Sequence, residues 1–135
     1  MYYIKYGPLV LATTRPETKF GDTAVAVNPK DNRYKEYVGK ELEIETVLGK
    51  SKIKVVADDM VDMEFGTGVV KITPAHDFND FEVAKRHNLP LKQVIGFDGK
   101  MMEAAGEFAG LYVKQARKAV VEKMQEKGLI EKIDE

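Results

Sequence analysis

Leu42, Ile44 and Thr46 alternate with Glu41, Glu43 and Glu45, the period of a strand with one wet face. Ile53, Val55 and Ala57 repeat that alternation after Leu48-Gly49-Lys50-Ser51, which predicts a hairpin turning on those four residues. Residues 2–13 are rich in β-branched and aromatic types and break at Gly7-Pro8, so they read as one bent strand or two short ones. Thr23–Val27 is a short, mostly apolar strand closed by Asn28-Pro29. Val69–Thr73 is a further strand, and Val94–Phe97 before Asp98-Gly99 predicts a second hairpin. One helix is expected to start near Asn79 or Asp80, run through Arg86 and stop before Pro90. Another covers Val113–Lys127, with Val113, Ala116, Val120 and Met124 on one face and Gly128 as its stop. Strands mostly follow strands without a helical crossover, so the expected class is α+β.

Composition narrows the setting. A chain of 135 residues, 44% hydrophobic and 32% charged, without repeat or linker, suits a single domain over 1–135. No apolar run approaches the ~20 residues that cross a bilayer, and Met1-Tyr2-Tyr3-Ile4-Lys5-Tyr6 lacks the centre of a secretory signal. No cysteine is present, which excludes disulfides and thiolate chemistry; the expected location is cytoplasmic, with no membrane partner. A net charge of −1 argues against a protein that holds nucleic acid through phosphates alone. If RNA is its substrate, another part of the assembly must deliver it.

Three segments look unlike structural filler. In Ala12-Thr13-Thr14-Arg15-Pro16-Glu17-Thr18 an apolar strand ends in hydroxyls and charge; a Pro-set turn with solvated charges would read the same way. In Glu64-Phe65-Gly66-Thr67-Gly68-Val69-Val70-Lys71-Ile72-Thr73 the glycines suit a tight turn or a close backbone approach, and the GxxxxGK[ST] spacing of a phosphate loop is absent. Lys71 inside that apolar strand either points to water or reaches into a cleft. Pro74-Ala75-His76-Asp77-Phe78-Asn79-Asp80-Phe81 puts an imidazole, two carboxylates and an amide at a strand-to-helix junction, where Asp77, Asn79 or Asp80 could equally cap the helix. A metal site is disfavoured, because His76 is the single histidine nearby. Ser51, the only serine, falls in the expected hairpin turn, so a hydrolase built from these parts would position a water and form no acyl-enzyme.

Together these blocks resemble the editing domain inserted into the class I aminoacyl-tRNA synthetases for valine, isoleucine and leucine. Thr13-Thr14-Arg15-Pro16, Gly66-Thr67-Gly68 and Pro74-Ala75-His76-Asp77 occur in the family's order. Glu17, the run Gly21-Asp22-Thr23-Ala24-Val25-Ala26-Val27-Asn28-Pro29, the stretch from Val61 to Lys71 and His76-Asp77-Phe78-Asn79-Asp80 are valyl in style. Isoleucyl members typically carry Trp where Glu17 stands, and leucyl members tend to Asp. Lys19-Phe20 departs from the Leu-Leu usual in valyl members. The His-Ile-Gly-His and Lys-Met-Ser-Lys types of aminoacylation signature are absent, and the start inside the family's first strand suggests an excised piece of a synthetase.

The resemblance implies a β-barrel-like core with peripheral helices. It also implies hydrolytic editing: water attacks the ester of threonine wrongly attached to valine tRNA, or removes threonine as its adenylate, and no aminoacylation is expected. Lys71, Thr73, Asp77 and Asp80 are then the expected catalytic set, with Asp80 anchoring the substrate's α-ammonium. Thr13, Thr14, Arg15, Phe65, Gly66, Thr67 and His76 are the expected substrate-binding set. No metal or cofactor is implied for editing; ATP belongs to the synthetic domain. The implied partners are the 3′ acceptor end of tRNA(Val) carrying threonine and the rest of the synthetase, with the protein a monomer. Competing readings are an isoleucyl or leucyl editing domain, a non-catalytic module that docks the acceptor end, and a plain α+β domain whose polar blocks cap helices.

Overall fold

The computed structural model describes residues 1–75, 77–96 and 98–133. Residues 2–13 form two strands, β1 (Tyr2–Tyr6) and β2 (Leu9–Thr13), paired antiparallel from Tyr2↔Thr13 to Tyr6↔Leu9. Pro8 and Gly7, at φ 61°, make the two-residue link that a tight hairpin requires. β3 (Ala24–Val27), β4 (Glu41–Thr46), β5 (Gly49–Ala57) and β6 (Val69–Ile72) form a second sheet in the order β4-β5-β3-β6. Within it β3 runs parallel to β5, a pairing reached through residues 28–40, which hold only the one-turn 3-10 helix Lys35–Tyr37, and β4.

The predicted β4–β5 hairpin is present, but its turn is shorter than expected. Thr46 pairs with Gly49 and Ile44 with Ser51, so Val47 and Leu48 alone make the turn. Period two puts Ser51 in step with Ile53 and Val55, and the buried Val47 anchors the turn, so the ladder continues past Gly49. Ser51 is therefore a strand residue. At the second predicted hairpin only isolated bridges occur, Ile95↔Met101 and Lys100↔Tyr112, around a tight turn from Gly96 to Gly99. Phe97, in that segment, lies outside the described residues.

Helix α1 (Phe78–His87) begins one residue before the expected start. Its N-cap is Asp77, whose side chain accepts from the Asp80 N–H at 3.1 Å, and Asn88 closes it in the left-handed region at φ 54°. Helix α2 (Val113–Glu126) buries Ala116, Val120 and Met124, as its period predicts, and leaves Val113 at its edge. Fully burying a side chain of the Val120 or Met124 kind contributes about 1.5–3 kcal/mol. The remaining strand, β7 (Ile130–Ile133), pairs with β1 and was not anticipated, since Ile-Glu-Lys-Ile is mostly exposed and too short to show a period.

β3 explains the layering. Alternate side chains of a strand face opposite sides of its sheet. Val25 and Val27 enter the main core with Ile4, Leu11, Val120 and Met124, while Ala24 and Ala26 enter a smaller core with Ile72 and Val83 of α1. The four-stranded sheet thus lies between α1 and the assembly of β2-β1-β7 with α2. β2 lies against β6 where the two sheets meet. The result is α+β and barrel-like in enclosure, although the hydrogen-bond ladder is split into two sheets. Among the described residues no helix is long and apolar enough to cross a membrane.

Candidate active site

The end of β2, the 3-10 turn Pro16–Gly21, β6 and the start of α1 converge on one cleft of about 180 Å³. Thr13, Thr14, Arg15, Phe65, Lys71, Thr73, Asp77 and Asp80 all line it, with Ala12, Thr18 and Val70 between them. Eight expected site residues, taken from three segments of the chain, therefore share one space.

Lys71 takes the second of the two options its sequence left open. Its side chain is buried, and Nζ donates to Thr18 Oγ1 at 2.7 Å, to Asp22 Oδ1 at 3.0 Å and to Thr73 Oγ1. An ammonium has three donors, so this set occupies all of them. Thr73 Oγ1 in turn donates to Asp22 Oδ1 at 2.6 Å, and Tyr6 donates its phenol to Asp22 Oδ2. Burial, together with the Asp22 charge, holds the Tyr6 phenol well above its ordinary range. Asp22 thus carries the base of the cleft, with its side chain 3% exposed.

Asp80 is 8% exposed, and the backbone N–H of Thr73 donates to its Oδ2 at 2.9 Å. Burial pushes its carboxyl up to about 6; the Asp77 and Asp22 charges add to that, while the Thr73 N–H and Lys71 oppose it. A carboxylate with that value is still ionised at neutral pH and offers acceptors only. Asp77 caps α1 and also lines the cleft.

On the opposite wall, the Arg15 N–H donates to Thr13 Oγ1 at 3.0 Å, and Thr18 Oγ1 donates to the Arg15 carbonyl at 2.9 Å. These bonds fold the chain sharply after β2. The Arg15 guanidinium, half exposed, leans toward Glu17 at 3.6 Å. Phe65 stands at the rim, largely exposed. Gly66 and Thr67 do not line the cleft. A Cβ on Gly66 would lie 2.9 Å from the Ala12 Cβ, and Thr67 donates to the Val10 carbonyl. Both hold the 64–68 loop down on β2 and so carry Phe65 to the rim. His76 lies outside the described residues.

Thr18 and Asp22 were not among the expected site residues. Asp22, an acid immediately before an apolar strand, was the available sequence signal. Its acceptor role depends on partners 49 and 51 positions away, which no local pattern reveals.

A family model described as "Leucyl-tRNA synthetase, editing domain" matches residues 32–125. The chain belongs to this synthetase editing-domain family. The matched span contains Phe65, Lys71, Thr73, Asp77 and Asp80. A valine–tRNA ligase from Clostridium acetobutylicum is 58% identical over 93% of the chain and 14% of its own length. Corresponding figures are 59%, 93% and 14% for that of Streptococcus thermophilus, and 51%, 99% and 16% for that of Halalkalibacterium halodurans. The valyl style of Glu17 and the Gly21–Pro29 run agrees with these editing-domain relatives. The chain spans about one seventh of the length of the ligases it matches. The crystal structure of GlLeuRS-CP1 superposes with a TM-score of 0.71, covering 93% of this chain and 82% of that one. At 14% identity that likeness establishes the editing-domain fold alone.

Proposed function

We propose that this chain hydrolyses the ester that joins a wrongly attached threonine to the 3′ end of valine tRNA. One observation carries the reading: the buried Asp80 carboxylate, Lys71 and the Thr13–Arg15 bend all line a single cleft. In the proposed pose Asp80 accepts from the α-ammonium of the amino acid, and Thr13, Thr14 and Arg15 hold the terminal adenosine. A water attacks the ester carbonyl carbon, the tetrahedral oxyanion forms beside the Lys71 charge, and the carbon–oxygen bond to the ribose breaks. Threonine leaves as its carboxylate and the ribose oxygen takes up a proton. No metal or cofactor enters these steps. We read residues 1–135 as one editing module of a longer valine ligase, monomeric and cytoplasmic.

Editing is needed because threonine and valine have nearly the same shape. This pair is the standard worked example of a pocket that discriminates only about 100-fold. A second site can prefer threonine by pairing its hydroxyl; among Asp77, Thr73 and Lys71, Asp77 keeps acceptor capacity beyond the Asp80 N–H it caps, whereas Lys71 and Thr73 are already bonded to Asp22. Valine would leave that capacity unused, at a cost of about 1–3 kcal/mol.

The test compares threonyl-, valyl- and 2-aminobutyryl-tRNA(Val) with the purified chain. Threonyl-tRNA should be cleaved fastest and 2-aminobutyryl-tRNA roughly 10-fold slower, since one buried hydrogen bond is unmade. A site that sieved by size would cleave 2-aminobutyryl-tRNA at least as fast. Protection of the threonyl ester, with binding but no release, would make the chain a docking module.

A further inference from the structure

Asp22 separates two cavities, and only one belongs to the site described above. The turn Pro16–Gly21 sends consecutive side chains to opposite sides of it. Thr18 lines the first cleft, and Lys19 lines a second cavity of about 240 Å³. The two share no lining residue.

Lys19 is only 8% exposed. No ion pair or hydrogen bond joins its ammonium to another described residue; the nearest feature is the Tyr6 ring, with its centroid 5.5 Å away. Burial lowers its pKa to about 8, helped by the Lys71 and Lys127 charges and opposed by Asp22. Asp22 cannot neutralise it fully, because its oxygens already accept from Lys71, Thr73 and Tyr6. Lys50 and Lys52 border the cavity on β5, but their side chains alternate with Ser51 and Ile53 and turn to the exposed face, where Lys50 reaches Glu43 at 3.8 Å. Lys19 thus sends the one buried lysine side chain of this cavity's lining beside a carboxylate that is already committed. A buried ammonium with the Tyr6 ring but no anion beside it, lining a cavity, gains from an anion that keeps it charged.

We propose that this second cavity binds a phosphate-class anion, with Lys19 as its buried anchor. The three N–H groups of one ammonium suit the several acceptor oxygens of a phosphate, without the planar fork that arginine imposes on its partner. A phosphodiester of an RNA strand and a free phosphate present the same chemistry. The site does not depend on the editing reading, since no ester need be cleaved for it to fill.

The experiment uses the whole chain with carbon-13-labelled lysine, titrated at constant ionic strength with inorganic phosphate and, separately, with a dinucleoside phosphodiester. Lys19 side-chain signals should shift saturably with at least one of the two. Its pKa should rise by about one unit on binding, which corresponds to tenfold tighter binding to the ammonium form. Binding of the diester alone would assign the site to an RNA strand, and binding of inorganic phosphate alone to a free anion. Lys19→Arg should keep the binding, while Lys19→Met should abolish it. Lys19→Met should also raise the melting temperature without phosphate, as it removes a buried unpaired charge, and lose the rise that phosphate gives the parent chain. No saturable shift with either ligand, shifts matched by chloride alone, or shifts of the remaining lysines unchanged in Lys19→Met would overturn the proposal.

Discussion

Asp80 is held between burial, which favours its neutral form, and the Thr73 N–H and Lys71, which favour the charged one. Burial prevails and the carboxyl sits at about 6 against an ordinary 3.8. The folded chain therefore takes up a proton more readily than the unfolded chain, so this group's effect is to lower stability as pH rises from about 4 to about 6. Substrate anchoring runs the other way, because only the ionised carboxylate attracts an ammonium. Deacylation should fall on acidification with a limb near pH 6 in single-turnover rates. Asp77→Asn keeps a capping oxygen for the Asp80 N–H but removes a neighbouring negative charge, so it should move that limb to lower pH. A limb that stays in place would assign the titration to another group. At this scale the site was largely legible: Thr13–Arg15, Lys71, Thr73, Asp77 and Asp80 were all named from their blocks. Thr18 and Asp22 were not, because a threonine in a turn and an acid before a strand are ordinary until Lys71 is placed beside them.

At the scale of elements, the turn Pro16–Gly21 is tied to α2 by one ion pair. Glu17 is 0% exposed and accepts from Arg117 Nε at 2.8 Å and Nη2 at 3.1 Å, across 100 positions of sequence. The same turn carries Thr18 and Lys19 to the two cavities. Breaking a buried pair costs most when the charge left behind cannot reach water. Arg117→Met should therefore destabilise the chain by up to about 3–5 kcal/mol in urea unfolding, because Glu17 stays buried and keeps only the more distant Arg15 guanidinium at 3.6 Å. Glu17→Met should cost less, since Arg117 is already 38% exposed and can be hydrated where it stands. Equal losses would mean that the pair contributes through packing and not through charge. The strand and helix patterns were visible in the sequence, but this tie was not, and neither was β7. Turn position also escaped, since Gly49 and Ser51 favour a turn by type while the buried Val47 and the ladder register decide against it.

At the scale of the whole molecule, near-neutral charge and two lined cavities set an expectation for RNA. A chain with net charge −1 has few phosphate contacts to make, so its affinity should come from the acceptor end alone. Fluorescence anisotropy with a labelled acceptor-stem hairpin should give a Kd weaker than about 10 μM at 0.15 M salt, and a salt slope no steeper than about −2. Sub-micromolar binding with a steep slope would reveal a basic surface that the charge balance conceals. The amino-acid sequence alone determined the α+β class, most strand and helix positions and most of the polar residues that line the main cleft, because periodicity, caps and motif blocks are local properties. Tertiary structure alone decided that β3 runs parallel to β5, that the enclosure is two sheets, and that Asp22 stands between an occupied and an unpaired lysine. Those outcomes depend on which distant side chains share a buried volume, where desolvation makes each unpartnered charge costly. No single segment of the chain carries that information.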